Sequence, residues 1–344
     1  MGLALTIIGC GGVDFTPDID RAAASSGSSG ASGSGGGGPV PAAVRGELTA
    51  LITALKHPAS LATYGGKVYV ADSEGASVYA VDEHGEELFR VDGPRPQTIA
   101  ANSSGVYWGA FGDGTSGELQ LNRANLDGSD VTTLTDGFVP SAIALGPDGV
   151  YGTGSKFSAA GGMVMMGLAG GPVVTLTRDS GLSYGVAVDA DNLYWMESSF
   201  SLSIRSVALA ATSPSDALPP KGNSKLLATD SDDGRGLAID AHNVYWVNDR
   251  GDVKKVPLDG GEPTLLASGT RCASDRGCIA VDGTNVYWAT KDSILKVSVD
   301  GGTPEVLARG LIAPRHLALD DSSVYWADSG SSTTRGVIFR LTPK

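Results

Sequence analysis

The chain has 344 residues, 41% of them hydrophobic, enough to bury one large repetitive core or two average domains. Charged residues make up only 18% and glycine occurs 49 times, a profile that suits short strands and tight turns rather than long charged helices. The net charge is −13 and the longest basic run is Lys254-Lys255. This excludes a nucleic-acid partner, because the phosphate backbone is held through Lys and Arg.

From the amino end, MGLALTIIGCGG is apolar up to Cys10 and carries no acidic residue. Ile7-Ile8-Gly9-Cys10 resembles the bacterial lipobox, which implies a lipid anchor on Cys10 as the new N-terminus. No Lys or Arg precedes this apolar run, and the run is short for a signal peptide. Residues 1–21 therefore read as a truncated lipoprotein signal and anchor, for which an upstream start would supply the missing features. Gly11, rather than Asp, after the Cys resembles the outer-membrane sorting pattern of diderm bacteria. The expected location is the outer membrane or cell surface, with the periplasm as the alternative. Residues 22–46 form a tether, since AAASSGSSGASGSGGGG at 22–38 has no large apolar side chain to offset the entropy of ordering. The folded body is expected over 47–344.

That body repeats. A VYW-like element starts at Val68, Val106, Val150, Leu193, Val244, Val286 and Val324, with spacings of 38, 44, 43, 51, 42 and 38 residues. Periods near 40–45 indicate a propeller or a solenoid. Its middle residue is Tyr in all seven copies, and the next is Trp in five, which are all the tryptophans of the chain. Upstream of each copy lies an apolar-Ala-apolar run, with Ala62, Ala100, Ala144, Ala187, Ala238, Ala280 and Ala318 at its centre. A small residue is expected where backbones converge near an axis, because a Leu there would overpack. A third alternating run ends in turn chemistry such as Asp-Gly-Gly, and a fourth follows it in six copies. The seventh copy of the fourth run is Glu47–Thr53, ELTALIT, ahead of the first repeat. The reading is an all-β, seven-bladed β-propeller with four antiparallel strands per blade, the last blade closed by the N-terminal strand.

Val324–Asp328 (VYWAD) and Pro314–Asp320 (PRHLALD) resemble the YWTD and NHL classes of propeller repeat, a likeness that spans residues 47–344. The chain departs from the receptor version in having seven units rather than six, and Ala, Val, Met or Gly where the motif has Thr. The likeness implies architecture, not function, since these repeats serve receptors, enzymes and scaffolds. Within the sixth repeat, Cys272 and Cys278 stand with five residues between them, in TRCASDRGC. A disulfide in an oxidising compartment is favoured; a metal site and two free thiols are the alternatives. The insertion at 208–222 reads as a partner-specific loop or, more simply, a tolerated surface insertion.

Starts of first strands and ends of second strands share one mouth of such a ring. There Tyr184, Arg235, Arg315 and His316 are large or polar where other repeats carry residues such as Ala59 and Gly277, and Gln97 and Asp72 complete the ligand-binding candidates. The blander alternative is that they plug the channel and pair with Asp72, Glu197 or Asp328. Asp189, Asp240, Asp282 and Asp320 belong to the opposite mouth as turn residues. Propeller hydrolases and lyases of the gluconolactonase and streptogramin-lyase kind use a central metal. Glu197, Asn248 and Asp328 could supply oxygen ligands to calcium, with His316 as general base. No H-E-x-x-H motif is present and, of the four histidines, only His316 lies in an axial register, so a catalytic role is the alternative and no cofactor is required. The main expectation is a monomeric, membrane-tethered binding module for a protein, peptide or glycan at the cell envelope.

Overall fold

The computed structural model describes residues 41–111, 119–136, 142–153, 162–177, 182–198, 201–209, 222–269, 271–272, 277–331 and 334–344. Cys10, the tether up to residue 40 and most of the 208–222 insertion lie outside the described residues. So do the side chains of residues 119, 136, 182–184 and 198.

Seven antiparallel sheets form in chain order, with no α-helix among the described residues. Blade 1 comprises β3 (Pro58–Tyr64), β4 (Lys67–Asp72), β5 (Ser77–Val81) and β6 (Glu87–Asp92). Blade 2 comprises β7 (Arg95–Asn102), β8 (Gly105–Phe111), β9 (Leu119–Ala124) and β10 (Thr132–Asp136). Blade 3 is β11 (Ile143–Leu145), β12 (Gly149–Thr153), β13 (Met163–Gly167) and β14 (Val174–Thr175). Blade 4 is β15 (Leu182–Val188), β16 (Asn192–Ser198), β17 (Leu202–Ala208) and β18 (Lys225–Asp230). Blade 5 is β19 (Gly234–Ile239), β20 (Asn243–Asn248), β21 (Val253–Pro257) and β22 (Thr264–Ala267). Blade 6 is β23 (Ile279–Val281), β24 (Asn285–Ala289), β25 (Ser293–Ser298) and β26 (Glu305–Arg309). Blade 7 is β27 (Pro314–Leu319), β28 (Val324–Asp328), β29 (Gly336–Thr342) and, as its outer strand, β2 (Glu47–Leu55). Inner strands of successive blades pack on one another right round the ring, including β27 against β3. The molecule is a seven-bladed β-propeller closed by its N-terminal strand.

One strand departs from the sequence reading. β1 (Ala42–Ala43), assigned above to the tether, pairs antiparallel with β26, and the Val44 amide donates to the Leu307 carbonyl at 2.8 Å. Blade 6 therefore has five strands. The cause is an open edge: β26 presents unpaired backbone groups, and any extended segment led past it can satisfy them.

The repeat residues explain the core. Each central Ala pairs across strands with the repeat Tyr, from Ala62 with Tyr69 to Ala318 with Tyr325. Ala is thus small for two reasons: the inner strands converge, and a phenol ring stands directly opposite. The Tyr of one blade and the Trp of the next fall in one apolar cluster, as Tyr69 with Trp108, Tyr151 with Trp195 and Tyr194 with Trp246. Where the next blade lacks Trp, Val and Leu replace it, as when Tyr325 packs with Leu61 and Val68. The tryptophans are structural, and the core is a set of wedges between blades. Glycine is demanded where a turn abuts a neighbour: Gly85 has φ +86°, and a Cβ there would lie 2.5 Å from the Leu51 carbonyl oxygen of β2.

Candidate functional site

At the mouth formed by second-strand ends, the buried acidic groups hold loops. Asp72 accepts the amides of Lys56 at 3.0 Å and His57 at 2.7 Å, which pins the segment leading into β3. Asp328 does the same for β27, accepting Ile312 at 2.8 Å, Ala313 at 2.9 Å and Gly330 at 3.1 Å. Glu197 accepts Arg205 Nε at 2.5 Å and the Trp195 indole at 3.4 Å. Asn248 Oδ1 accepts the amides of Arg250 and Asp252, while its Nδ2 donates to Asp230 at 3.3 Å.

Asp230, which the sequence reading passed over, also accepts the Trp246 indole at 3.0 Å and Lys254 Nζ at 2.9 Å. Its burial alone would raise its pKa, but those donors bring it below the usual aspartate value. The signal available was its place at the end of the fourth run, three strands ahead of a lysine that pairs across from Trp246. Glu197, Asn248 and Asp328 sit in three different blades with their polar atoms engaged. No group of three His, Cys, Asp or Glu among the described residues is spaced to hold a metal ion. This donor set does not fit calcium.

The inner strands carry a second pattern. Register shifts leave one extra residue on each of five of them: Ala59, Gln97, Tyr184, Arg235 and His316. Such β-bulges re-aim side chains at barrel and ring mouths. The sequence alignment placed Arg315 with Gln97 and Arg235; the structure places His316 there instead. In blades 4 and 5 the register after the bulge holds Gly185 and Gly236, where a Cβ would come within 2.9 Å of Leu237 and 3.0 Å of Ile279. In β27 the bulge moves on by one residue, and Arg315 takes that register. His316 then takes a left-handed φ of +47°, and Arg315 pairs opposite Ala327, as Ser60 pairs opposite Ala71.

The two arginines end up differently. Arg235 donates from Nε to Asp249, and Arg271 reaches the other oxygen of Asp249 at 3.6 Å. Arg315 makes no hydrogen bond and no ion pair among the described residues. Burial pulls its pKa down, and the charge of Asp328 offsets part of that. His57, on the blade 1 side of the seam, has its pKa lowered by burial first and by Arg315 second; its Nδ1 lies 3.1 Å from Ser73 Oγ. The structure thus brings together Arg315, His57 and Asp72 at the seam of blades 7 and 1, with His316 next to Arg315 in the chain as the bulged residue of β27. It leaves Arg235 with Asp249 in blade 5. Gln97 is buried in blade 2, and the Tyr184 side chain lies outside the described residues.

Cys272 and Cys278 form a disulfide with Cα atoms 6.2 Å apart, and Cys278 Sγ lies 3.7 Å from the Arg235 carbonyl oxygen. On the opposite mouth, Asp189, Asp240, Asp282 and Asp320 act in turns as expected. Each also accepts the hydroxyl of the Tyr five residues on, at 2.6–2.9 Å. Burial first, and that bond second, hold Tyr194, Tyr245 and Tyr325 far above the usual phenol value.

No protein-family model matches the chain, and no curated protein matches it. Solved structures do. A Mycobacterium tuberculosis puromycin-hydrolyzing peptidase shares 13% identity at a TM-score of 0.61, over 86% of this chain and 52% of that one. YCF48 from Cyanidioschyzon merolae shares 13% identity at a TM-score of 0.60, over 88% and 99%. The computationally designed Ika8 protein shares 13% at 0.55, over 86% and 100%. The chain spans about half of the peptidase. These likenesses define the class, a β-propeller, and at such identity they carry the fold alone.

Proposed function

We propose that this propeller is an exported, lipid-anchored binding module of the bacterial cell envelope, with Cys10 acylated and a Gly/Ser tether leading to the ring. The carrying observation is the contrast at one mouth. Residues that differ between blades, Gln97, Arg235, Arg315 and His316, stand on the inner strands of blades 2, 5 and 7, on a frame that the blades otherwise share. The fold does not require them, so a ligand is the reason offered for them. The expected partner is a protein, peptide or glycan, bound by a monomer. The metal-dependent hydrolase or lyase reading is not carried forward, because its oxygen ligands are engaged within their own blades.

A photo-crosslinking amino acid at residue 97 tests this in cells. The expected result is one discrete adduct, competed by excess unlabelled protein, and none from residue 242 on the opposite mouth. Equal labelling from both positions would sink the assignment of the face.

A further inference from the structure

We propose that Arg315 anchors a subsite for a free carboxylate at the seam between blades 7 and 1. The inference rests on the reading of this mouth as a binding face, and it names the chemistry that one part of that face selects.

Equivalent interior cations elsewhere have partners. Arg205 has Glu197, Lys254 has Asp230 and Arg235 has Asp249. Arg315 is partly buried and has no ion pair or hydrogen bond among the described residues. A guanidinium does not escape burial by losing its proton, so an unmatched one destabilises the fold unless something else uses it. The near carboxylates are already occupied: Asp328 by three backbone amides, Asp72 by those of Lys56, His57 and Gly75. His57 does not compete as a cation, since burial and Arg315 both favour its neutral form. The position of Arg315 is itself made at a cost, the displaced bulge with His316 at φ +47°, a conformation that persists only where its surroundings enforce it.

One planar fork matches one carboxylate in bidentate fashion. A phosphate dianion is the poorer fit, because Asp72, Glu74 and Asp328 surround the seam and the chain carries −13 overall. The carboxylate can come from a small acid or from a peptide C-terminus.

The test uses the full 344-residue chain and its Arg315→Met and Arg315→Lys variants. Thermal melting is followed in chloride, acetate and phosphate at matched ionic strength. It is repeated with N-acetyl-dialanine bearing a free or an amidated end. Acetate should raise the melting temperature saturably above chloride, by on the order of 2 °C, with phosphate weaker. The shift should vanish in Arg315→Met and shrink in Arg315→Lys. A larger response to the free-ended peptide than to acetate points to a chain end, and an equal one to a small acid; no response to either overturns the proposal. In chloride, Arg315→Met should melt higher than the parent, since it removes an unmatched charge and keeps the stem. A lower melting temperature, or failure to fold, would assign the guanidinium to the fold and overturn the subsite, as would an acetate shift surviving in Arg315→Met or a stronger response to phosphate. Acetate binding at Arg315 without any adduct from residue 97 would keep the subsite and remove the envelope partner. The reverse pattern would keep the partner and remove the subsite.

Discussion

Asp282 shows how much one side chain does at the turn-bearing mouth. Its Oδ1 accepts the amides of Thr284 at 3.0 Å and Asn285 at 2.9 Å, and its Oδ2 accepts the Tyr287 hydroxyl at 2.9 Å. Lys344 Nζ lies 3.2 Å from Oδ2. Burial alone would raise its pKa, yet the donors outweigh it and hold the group at about 2. A carboxylate depressed in the folded state adds stability above its unfolded pKa, and the gain is lost as pH falls through the folded value. That gain is roughly 2 kcal/mol near neutrality. Asp320 is shifted in the same direction by Tyr325, Ser322 and Ser323, against its burial. Acid unfolding should therefore steepen between about pH 4 and pH 2, and Asp282→Asn should flatten it while costing stability at pH 7. Tyr287→Phe should cost about 1–2 kcal/mol at pH 7, because it removes a bond to a charged acceptor. Urea melts of both variants at pH 7 and pH 3 would check this; an unchanged pH slope in Asp282→Asn would count against the account. The aspartates were legible as turn residues from their place before Asn and Gly. Their tyrosine partners were not, because alternation tells which face a residue takes and not how far its hydroxyl reaches. The couple also breaks within the repeat. Gly146 takes the aspartate's place in blade 3, where a Cβ would crowd Tyr151 at 2.7 Å.

Strands differ in how plainly they announce themselves. The four runs per repeat, and the transfer of Glu47–Leu55 to blade 7, follow from period-2 patterns and a count of copies. β1 does not, because Ala42–Ala43 has no alternation and adjoins a Gly/Ser tract; its order comes from the open edge of β26. The bulge in β27 was equally hidden. One residue of offset leaves the motif intact, and the strand pairing rather than the motif shows which residue bulges. β1 also has a measurable consequence. Removing residues 1–46 should leave the ring folded but uncover β26 and break the Val44–Leu307 bond and the Arg45–Glu305 pair at 3.2 Å. The pair is exposed and counts for little, so the strand pairing dominates. Backbone hydrogen exchange over residues 305–309 should speed up by on the order of fivefold, equivalent to about 1 kcal/mol, with the other blades unchanged. Unaltered exchange there would show β1 to be an incidental contact.

The ring as a whole is held by a device that no single blade contains. Blade 7 takes its three inner strands from the C-terminal end of the chain and its outer strand from residues 47–55, so the first and last parts of the fold share one sheet. An open stack of repeats can unfold from either end, since each unit contacts only its neighbours. Closure removes the ends: each wedge, including Tyr325 against Leu61 and Val68, is flanked by two others. Opening any one wedge exposes buried aromatic surface on both sides, and this couples the blades into a single transition. The five tryptophans lie in blades 2, 4, 5, 6 and 7, so their fluorescence samples most of the ring while circular dichroism samples all of it. Urea unfolding of the chain should give coincident midpoints by both probes. A variant lacking residues 1–56 loses β2 and leaves β29 as an open edge; its two midpoints should separate and its transition broaden. The variant lacking residues 1–46 keeps β2 and should retain coincidence, which distinguishes ring closure from mere chain shortening. Coincident transitions in both truncated forms would mean that adjacent wedges, not the closing strand, carry the cooperativity.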